Sequence, residues 1–356
     1  MSPSFWKNKK ILLTGHTGFK GSWLSLWLQK IGANVIGFSK DVPTEPSHFE
    51  VSHVGDEMES IIGDIRNYEE IEKIFLKFEP EIVFHLAAQS IVHNSYQDPK
   101  ATFATNVMGT VNLLEASRKT NIPKVIINVT SDKCYKNTNE KKLFVETDPV
   151  GGFDPYSSSK GCSELITDSF RNSFFNSDKK NSIGLASVRA GNVIAGGDWS
   201  QYRLIPDIIR SITSKQEIKI RNPNHVRHWQ YVLDPLHGYL ILAEKIWNDK
   251  VNFSSGWNFG PTSDEGKTVS WIVDKFNQLW NNKLIVKIDE QNFNHESGYL
   301  MLNSEKAKNQ LQWKSIVDTE NAIRLIVDWH KEFIQNKDMK KKSLEQIENF
   351  ERMILK

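Results

Sequence analysis

Two tyrosines in this sequence are followed by a lysine four residues later, one in YQDPK and one in YSSSK at 156–160. On an α-helix such residues are stacked one turn apart, so the ammonium group can stabilise the phenolate of a tyrosine acting as a base. Pro99 disfavours a helical residue before it, so the first pair is not expected to share a helix face. DPYSSSKGCSELITDSF instead predicts a helix beginning near Pro155. We therefore predict an acid–base role for Tyr156 and Lys160, the alternative being two residues on a helix surface.

A glycine-rich turn, TGHTGFKGSW, follows the first apolar run and opens the first long helical pattern. Gly15 permits a tight turn, Gly18 allows backbone to approach a phosphate, and Gly21 allows the helix to pack close to a sheet. The first amides of that helix favour a pyrophosphate. The first gap is one residue longer than in the usual dinucleotide fingerprint, but its position favours a dinucleotide site over a simple turn. His16 and Lys20 either add donors beside the phosphates or are surface residues.

Two acidic residues are placed to recognise the adenosine half of a dinucleotide. Asp41 lies 20 residues after Gly21, just past the second predicted strand, where a carboxylate can bind the ribose. Asp64 ends the third predicted strand, where it can meet the adenine edge. These positions predict NAD as the cofactor. Ser39 and Lys40 keep NADP as an alternative, because a cation there suits a 2′-phosphate.

The segments around these motifs alternate between strand and helix. Strands are predicted at 10–14, 34–38, 59–62, 81–86 and 124–130, and helices at 18–31, 67–78 and 101–119. The strands are continuous apolar runs, which is typical of parallel strands covered on both faces. The repeated β-α-β order predicts an α/β fold, a doubly wound parallel sheet of the Rossmann type.

The pattern loosens after about residue 180, although a strand, IGLASVRA, and a helix near 201–214 are still recognisable. We predict an NAD-binding domain at 1–186, to which segments around 228–260 return. Most of 187–356 is predicted to form a smaller C-terminal substrate-binding lobe.

Composition argues against several classes of function. The 356 residues include 45 basic and 43 acidic side chains, so no electrostatic footprint indicates nucleic acid or a membrane surface. Two cysteines cannot form a disulfide framework, and no apolar run has the length of a signal-peptide core or a membrane span. We expect a cytoplasmic protein that acts on a small molecule. No metal site is predicted, because five histidines lack ligand spacing with cysteine or carboxylate: His85, His93, His225, His228 and His295.

Five motifs, between about residues 8 and 313, carry a family resemblance: HTGFKGSW, TSDKCY, DPYSSSK, RAGNVIAGGDW and RHWQYVLDPL. The chain resembles nucleotide-sugar 4,6-dehydratases of the extended short-chain dehydrogenase/reductase family. The sequences of its motifs are most similar to those of members acting on CDP-glucose. The resemblance implies oxidation at C4 with NAD, loss of water across C5–C6 and return of the hydride to C6. It makes Tyr156 and Lys160 catalytic. The pKa of the tyrosine must then fall from about 10 to about 7, and Lys160 and a cationic nicotinamide ring could lower it.

The TSDKCY motif follows the fifth predicted strand, and sites in open sheets lie at the carboxyl ends of strands. Ser131 can share a hydrogen bond with the sugar 4-hydroxyl and Tyr156. The resemblance implies that Asp132 is the acid for the departing 6-hydroxyl. Lys133 stands where dTDP-glucose dehydratases carry a glutamate base, so we expect it to remove the C5 proton, with stabilisation of the enolate as the alternative. As a base its pKa must fall from about 10.4 toward 7.

Guanidinium groups suit phosphate oxygens, and the later motifs offer Arg189, Asn192, Arg203, Arg221 and Arg227. For each arginine taken singly, an ion pair at the surface is the more common role. The resemblance implies that Asn192 and Arg227 contact the diphosphate, that Trp199 and Trp229 wall the pocket, and that relatives pair through the Tyr-x-x-x-Lys helix and the preceding one as homodimers. Asn106 is poorly placed within a helix unless its amide is bonded; in the family it supports the catalytic residues, and we expect it near the cofactor. Further cofactor contacts are expected from Phe19, Ile65, Leu86 and Ala87, and substrate contacts from Gln89 and Ser90.

Other functions stay open from the residues alone. A nucleotide-sugar epimerase or NAD-dependent reductase would share Tyr156 and Lys160 but have no use for Asp132 and Lys133. A 4,6-dehydratase for another nucleotide sugar would share all four, because the nucleotide base is taken from the resemblance. A non-catalytic dinucleotide-binding protein is disfavoured by the intact tyrosine–lysine pair.

Overall fold

The structure is a computed structural model that describes residues 2–138, 140–175, 182–220, 222–261, 266–281, 284–288 and 298–355. Its strands are β1 (Lys10–Thr14), β2 (Asn34–Ser39), β3 (Glu59–Ile62), β4 (Ile82–His85), β5 (Val125–Val129), β6 (Leu143–Phe144), β7 (Gly184–Ala190), β8 (Asn192–Ile194), β9 (Glu217–Ile220), β10 (Val226–Arg227), β11 (Trp229–Tyr231), β12 (Gly256–Phe259), β13 (Lys267–Thr268), β14 (Ile285–Ile288) and β15 (Tyr299–Leu302). Its α-helices are α1 (Pro3–Trp6), α2 (Phe19–Lys30), α3 (His48–Val51), α4 (Tyr68–Phe78), α5 (Val92–Gln97), α6 (Pro99–Phe103), α7 (Gly109–Thr120), α8 (Pro155–Ser173), α9 (Leu204–Ser214), α10 (Leu233–Asn248), α11 (Lys250–Phe253), α12 (Val269–Leu279), α13 (Glu305–Leu311), α14 (Thr319–Ile334) and α15 (Met339–Ile354).

The central element is a parallel sheet with the strand order β12-β7-β5-β4-β1-β2-β3. Successive side chains of a strand point to opposite faces, so a strand buried on both faces must be apolar throughout. In β1, Ile11 and Leu13 join the core that contains α2 and α10, whereas Leu12 joins the core that contains α4 and α7. The predicted doubly wound sheet is therefore confirmed.

The strand order reverses beside β1. The chain runs outward from β1 to β2 and β3, then returns to β4 on the other side and continues to β5 and β7. In such sheets the crevice between the two directions, at the carboxyl ends of the strands, is where ligands bind. This topology brings the loops after β1, β4 and β5 together.

The predicted helices are confirmed with one instructive difference. The helix predicted at 101–119 is α6 and α7 joined by a π-helical turn at Ala104–Met108, a distortion often found at functional sites. Tyr96 lies on α5 and Lys100 on α6, with Asp98 capping the second helix, so this pair does not share a helix. Pro99 thus has the effect predicted from the sequence.

Smaller strand groups lie beside the main sheet, and all of their strands except β6 come from the second half of the chain. They have the orders β13-β10-β15-β6, β11-β8 and β14-β9. Strand β12 returns to the main sheet and pairs with β7, within which the predicted boundary at 186 falls. The division into two functional lobes stays a prediction. None of the helices in the described part of the chain has the length and apolar character to cross a bilayer.

Candidate active site

The glycine-rich turn joins β1 to α2 in a conformation that requires glycine. Gly15 has a φ of +78°, and a Cβ on it would lie 2.7 Å from the backbone nitrogen of Ala87. A Cβ on Gly21 would lie 2.0 Å from the carbonyl oxygen of Gly15, so α2 packs directly on the turn. Gly18 occupies the N-cap position of α2. The turn therefore presents backbone rather than side chains at the start of the helix, as a phosphate cradle requires.

A large cleft of about 1760 Å³ opens at the carboxyl ends of the central strands. Most residues predicted for the site line it: Gly15, Gly18, Phe19, Gly21, Asp41, Asp64, Ile65, Leu86, Ala87, Gln89, Ser90, Ser131, Asp132, Lys133, Tyr156, Lys160, Asn192, Trp199, Arg203, Arg227 and Trp229. Two predicted residues, His16 and Asn106, are not among its lining residues. The fold thus brings together groups that are up to about 200 residues apart in the sequence.

His16 lies behind the glycine-rich turn instead of facing the phosphates. Its Nδ1 is 2.8 Å from Ser39 Oγ and its Nε2 is 2.7 Å from Ser60 Oγ. The ring packs on Gly37 of β2, and burial lowers its pKa to about 4. His16 is therefore a neutral, fully bonded spacer between the turn and β2, which corrects its predicted role. The hydrogen bond to His16 also engages Ser39, one of the two residues for which NADP stayed an alternative cofactor.

Lys20 does face the cleft. Its pKa is lowered to about 7, first by burial and then by the neighbouring charges of Lys160 and Arg203. Its ammonium group lies 5.7 Å from the centre of the Tyr239 ring. A half-buried cation whose charged form is disfavoured in this way is stabilised by an anion that enters the cleft.

The start of α8 explains the position of the predicted catalytic pair. Asp154 caps the helix, accepting hydrogen bonds from the backbone nitrogen of Ser157 at 2.9 Å and from its hydroxyl at 2.6 Å. Pro155 occupies the first turn, where its missing N–H has no cost. Tyr156 and Lys160 are consequently stacked one turn apart, as predicted, and both are nearly buried.

Burial opposes the charged form of each member of this pair. It lowers the pKa of Lys160 to about 8, and the ammonium donates to the carbonyl oxygen of Val129 at 3.2 Å. It raises the pKa of Tyr156 to about 12, although a hydrogen bond with Ser131 acts in the opposite direction. The protein by itself therefore does not supply the lowered tyrosine pKa expected from the sequence, and a further positive charge in the cleft is needed.

The Ser131–Lys133 turn follows β5 and continues into a 3₁₀ turn. Ser131 Oγ donates to Asp132 Oδ1 at 2.9 Å and accepts from the backbone nitrogen of Lys133 at 3.2 Å. Burial raises the pKa of Asp132, while Lys133, Ser131 and Arg227 act against this. A carboxyl group held toward its protonated form can donate a proton, which suits the predicted acid.

Asn106 positions the site from behind. In the π-helical turn its Oδ1 accepts from the backbone nitrogen of Gln89 at 2.8 Å, and its Nδ2 donates to Gln89 O and to Ser159 Oγ, both at 2.9 Å. It therefore ties the loop after β4 to α8. These hydrogen bonds agree with the predicted supporting role of Asn106. None of them indicates that Asn106 contacts a cofactor directly.

Predicted substrate residues surround the other end of the cleft. Arg203 donates to Ser90 Oγ at 2.9 Å and to Asp198 Oδ2 at 3.0 Å. Trp199 packs edge-on against Trp329, with ring centres 5.6 Å apart. These contacts fix the wall of the cleft between the loop after β4 and the start of α9.

Two more cleft residues are held by backbone groups. Arg227 donates to the carbonyl oxygens of Val226 at 2.9 Å and Gly298 at 3.2 Å. Trp229 Nε1 donates to the carbonyl oxygen of Lys267 at 3.0 Å. Both side chains are buried and still contribute to the cleft surface.

Arg189 is not a phosphate ligand in this structure. It forms an ion pair with Glu164 and does not line the cleft, so the ion-pair alternative applies to it, although the pair is buried and not at the surface. Arg221 and His295 lie outside the described residues. Among the residues that the structure does describe, no group of three or more histidine, cysteine or acidic side chains could hold a metal ion.

Sequence reasoning missed Glu164 and Asp198. Glu164 follows Lys160 by four residues, and this spacing indicates that the two side chains share one face of the helix. Asp198 pairs with Arg203. Nothing in the surrounding GGDW sequence indicates that pairing.

Comparison with known proteins adds to this geometry. A family model described as GDP-mannose 4,6 dehydratase matches residues 12–326. CDP-glucose 4,6-dehydratase of Salmonella typhimurium is 50% identical over 338 residues, which is 94% of each chain. dTDP-glucose 4,6-dehydratase 1 of Escherichia coli is 25% identical over 90% of this chain and 92% of its own.

Solved structures share the fold. An epimerase from Methanothermobacter thermautotrophicus superposes with a TM-score of 0.81 at 22% identity, covering 95% of this chain and 96% of its own. The dTDP-glucose 4,6-dehydratase of Bacillus anthracis, solved in complex with NAD, gives a TM-score of 0.74 at 22% identity, covering 91% and 97%. Together with the family match, these findings confirm the resemblance predicted from the motifs, and the chain belongs to the GDP-mannose 4,6 dehydratase family.

Proposed function

We propose that this chain catalyses the NAD-dependent dehydration of CDP-glucose to CDP-4-keto-6-deoxyglucose. The observation that carries the proposal is the 50% identity to CDP-glucose 4,6-dehydratase of Salmonella typhimurium over 94% of both chains. The geometry supports the same reaction, because Tyr156, Lys160 and the Ser131–Lys133 turn line one cleft with the glycine-rich turn. The enzyme would be a hydro-lyase.

The cleft fits a dinucleotide at the glycine-rich turn. A Cβ would fill the space at Gly15 and Gly21, and the first turn of α2 presents backbone amides there. When bound, NAD supplies the oxidation at C4 and the later reduction at C6. The residues we infer to hold it are Gly15, Gly18, Phe19, Gly21, Asp41, Asp64, Ile65, Leu86 and Ala87, with Tyr156 and Lys160 at its reactive end.

In the oxidation, Tyr156 takes the proton of the sugar 4-hydroxyl as the C4–H bond breaks. Ser131 shares the hydrogen bond with that hydroxyl and with the tyrosine. Lys160, one turn away, favours the phenolate while its ammonium form persists. The resulting 4-ketone makes the C5 proton acidic.

In the elimination, Lys133 takes the C5 proton and Asp132 gives a proton to the 6-hydroxyl, which leaves as water. Burial holds Asp132 toward the protonated form that this step needs. The C5–C6 double bond is then reduced at C6, and Lys133 returns a proton to C5. Transfer of a proton from Tyr156 to Asp132 through solvent restores both groups. The net change is loss of one water, with no net consumption of the cofactor.

We infer that the diphosphate and nucleoside bind at the far end of the cleft. Arg203 and Arg227 supply positive charge, Asn192 an amide, and Trp199 and Trp229 apolar walls. The cytosine base is assigned from the relative in Salmonella typhimurium, since these residues recognise features common to nucleotide sugars.

The decisive experiment supplies CDP-glucose carrying deuterium at C4 and analyses the product by NMR. We expect a 4-keto-6-deoxy sugar, absorbing in alkali, with the deuterium in its methyl group. Activity restricted to dTDP-, UDP- or GDP-glucose would keep the reaction class and overturn the substrate. A product that retains its 6-hydroxyl would favour an epimerase or reductase, which has no use for Asp132 and Lys133.

We also propose that the chain is a homodimer that pairs through α8 and the preceding α6–α7 segment. Phe103, Met108 and Leu165 on these helices are exposed apolar side chains, with 37%, 50% and 60% of their surface accessible. Leu165→Lys should convert the dimer into a monomer in light scattering, and an unchanged mass would contradict this interface. The cytoplasmic location stays a prediction from the sequence.

A further inference from the structure

A buried ion pair lies directly behind the catalytic residues. Glu164 follows Lys160 by one turn on α8, Arg189 belongs to β7, and each is 5% exposed. Arg189 donates from Nε to Glu164 Oε1 at 2.8 Å and from Nη2 to Oε2 at 2.7 Å. A two-pronged pair of this kind fixes both distance and orientation between the elements that carry it.

Glu164 also holds the residue that precedes the catalytic turn. Thr130 donates from its hydroxyl to Glu164 Oε1, and Ser187 donates to Oε2 at 2.6 Å. The backbone nitrogen of Thr130 donates to Val188 O at 2.9 Å. The chain is therefore anchored to α8 and β7 immediately before Ser131.

Arg189 holds the residue that ends the same turn. Its Nη1 donates to the hydroxyl of Tyr135 at 2.5 Å, and that hydroxyl donates to Asn258 Oδ1 at 2.8 Å. The Tyr135 ring stacks on Phe144 with ring centres 5.0 Å apart. One ion pair thus connects to both ends of the turn that carries Ser131, Asp132 and Lys133.

We propose that Glu164 and Arg189 are positioning residues that hold the Ser131–Lys133 turn in register with Tyr156 and Lys160. The inference deepens the proposed function and rests on it, because it concerns the acid–base groups of the same site. A buried ion pair adds little net stability relative to well-packed apolar residues. A positioning role explains why this ion pair contacts both ends of the Ser131–Lys133 turn.

The charge of Glu164 has a second consequence, at Lys160. Burial lowers the pKa of Lys160, and Glu164 raises it, followed by Cys134. The other groups facing Lys160 are Lys20 on α2, whose charge repels it, and His85 on β4, which burial keeps neutral. Removing the Glu164 charge therefore lowers the pKa of Lys160 further.

Kinetics of Glu164→Gln and Tyr135→Phe test the positioning role. Both should lower kcat by about 10- to 100-fold with KM within about twofold, as expected when reacting groups shift by up to an ångström. The alkaline limb of the kcat/KM profile should move to lower pH in Glu164→Gln but not in Tyr135→Phe, which keeps the charges. Asp168→Asn is the matched control, because Asp168 also pairs with an arginine, Arg171 of the same helix, but its own side chain is 62% exposed.

Amide hydrogen exchange gives a readout that does not depend on the substrate. The amides of 130–135 should exchange at least about 10-fold faster in both variants than in wild type or Asp168→Asn, as local opening becomes easier. Unchanged exchange there, or a kcat within twofold of wild type for Tyr135→Phe, would overturn the inference. A wild-type chain that leaves CDP-glucose untouched would instead overturn the proposed function, while the exchange result would still decide the positioning role.

Discussion

Arg203 Nη2 lies 2.9 Å from Ser90 Oγ, so a side chain at the start of α9 bridges to the loop after β4. Asp198 accepts from the other arm of the guanidinium at 3.0 Å. Arg203, the candidate phosphate ligand, therefore already points across the cleft in the absence of substrate. To bind its Nη2, a diphosphate has to displace one hydrogen bond, the one to the Ser90 hydroxyl.

Arg203→Lys tests whether this fork recognises the diphosphate. Lysine keeps the charge but cannot bond two oxygens in a plane, so we expect KM for CDP-glucose to rise about 10-fold or more with kcat nearly unchanged. Arg324→Lys, on the exposed pair with Glu320, serves as the control. An unaltered KM would remove Arg203 from substrate binding.

Tyr156→Phe removes only the phenolic oxygen that we propose as the acceptor of the C4–OH proton. The rate of dehydration should fall by more than about 100-fold, the scale of a general base, while binding of CDP-glucose measured by calorimetry stays within about threefold of wild type. Tyr96→Phe, in the YQDPK segment, should have full activity. Comparable rates for wild type and Tyr156→Phe would show that another group accepts the proton.

Lys133→Ala separates oxidation from elimination. The variant should still reduce bound NAD when CDP-glucose is added, seen as a lasting rise in absorbance at about 340 nm, but release no 4-keto-6-deoxy sugar, because a C5 base is lost. Lys136→Ala, an exposed lysine of the same loop, is the control. Normal dehydration by Lys133→Ala would reject the base assignment.

Two glycine variants separate folding from cofactor binding. A Cβ at Gly18 meets only the Gly15 carbonyl oxygen at 3.3 Å, whereas one at Gly21 would lie 2.0 Å from the same atom. Gly18→Ala should keep the melting temperature within about 3 °C yet weaken NAD binding about 10-fold or more. Gly21→Ala should lower the melting temperature and weaken NAD binding as well. Full-strength NAD binding by Gly18→Ala would place the phosphates elsewhere.

Stability should fall as the solution is made acidic. Burial lowers the pKa of five histidines from 6.5, to about 4 at the first and about 3 at the others: His16, His48, His85, His237 and His330. Below pH 6.5 the unfolded chain binds protons that the folded chain excludes, so the free energy of unfolding decreases, by up to about 2 kcal/mol per histidine at pH 5. Asp234 acts in the opposite direction, since burial raises its pKa to about 7.

Urea unfolding at pH 7.5, 6.5 and 5.5 measures this dependence. The midpoint should drop steadily below pH 6.5, and His48→Gln should show a shallower drop than wild type whatever its stability at pH 7.5. A midpoint that stays level down to pH 5.5 would mean that these histidines are protonated in the folded protein.

Local features of the chain were sufficient for much of this site. Apolar runs predicted the parallel strands, Pro155 predicted where the catalytic helix begins, and Pro99 predicted that Tyr96 and Lys100 do not share a helix. The glycine spacing predicted the turn at Gly15 for a reason that is also local, because only a residue without a Cβ adopts its backbone angle next to another loop. Each of these signals acts between residues close in sequence.

Only the tertiary structure decided which partner each polar side chain has. The motif left Arg189 as either a phosphate ligand or a surface ion-pair residue, and the position of β7 beside β5 and under α8 places it against Glu164 in the interior. His16 was expected either beside the phosphates or at the surface, but the close packing of the turn on β2 leaves it between Ser39 and Ser60. The sequence by itself determined the elements and their motifs; the register and order of the sheet determined the contacts, because partners distant in sequence meet only after the strands have paired.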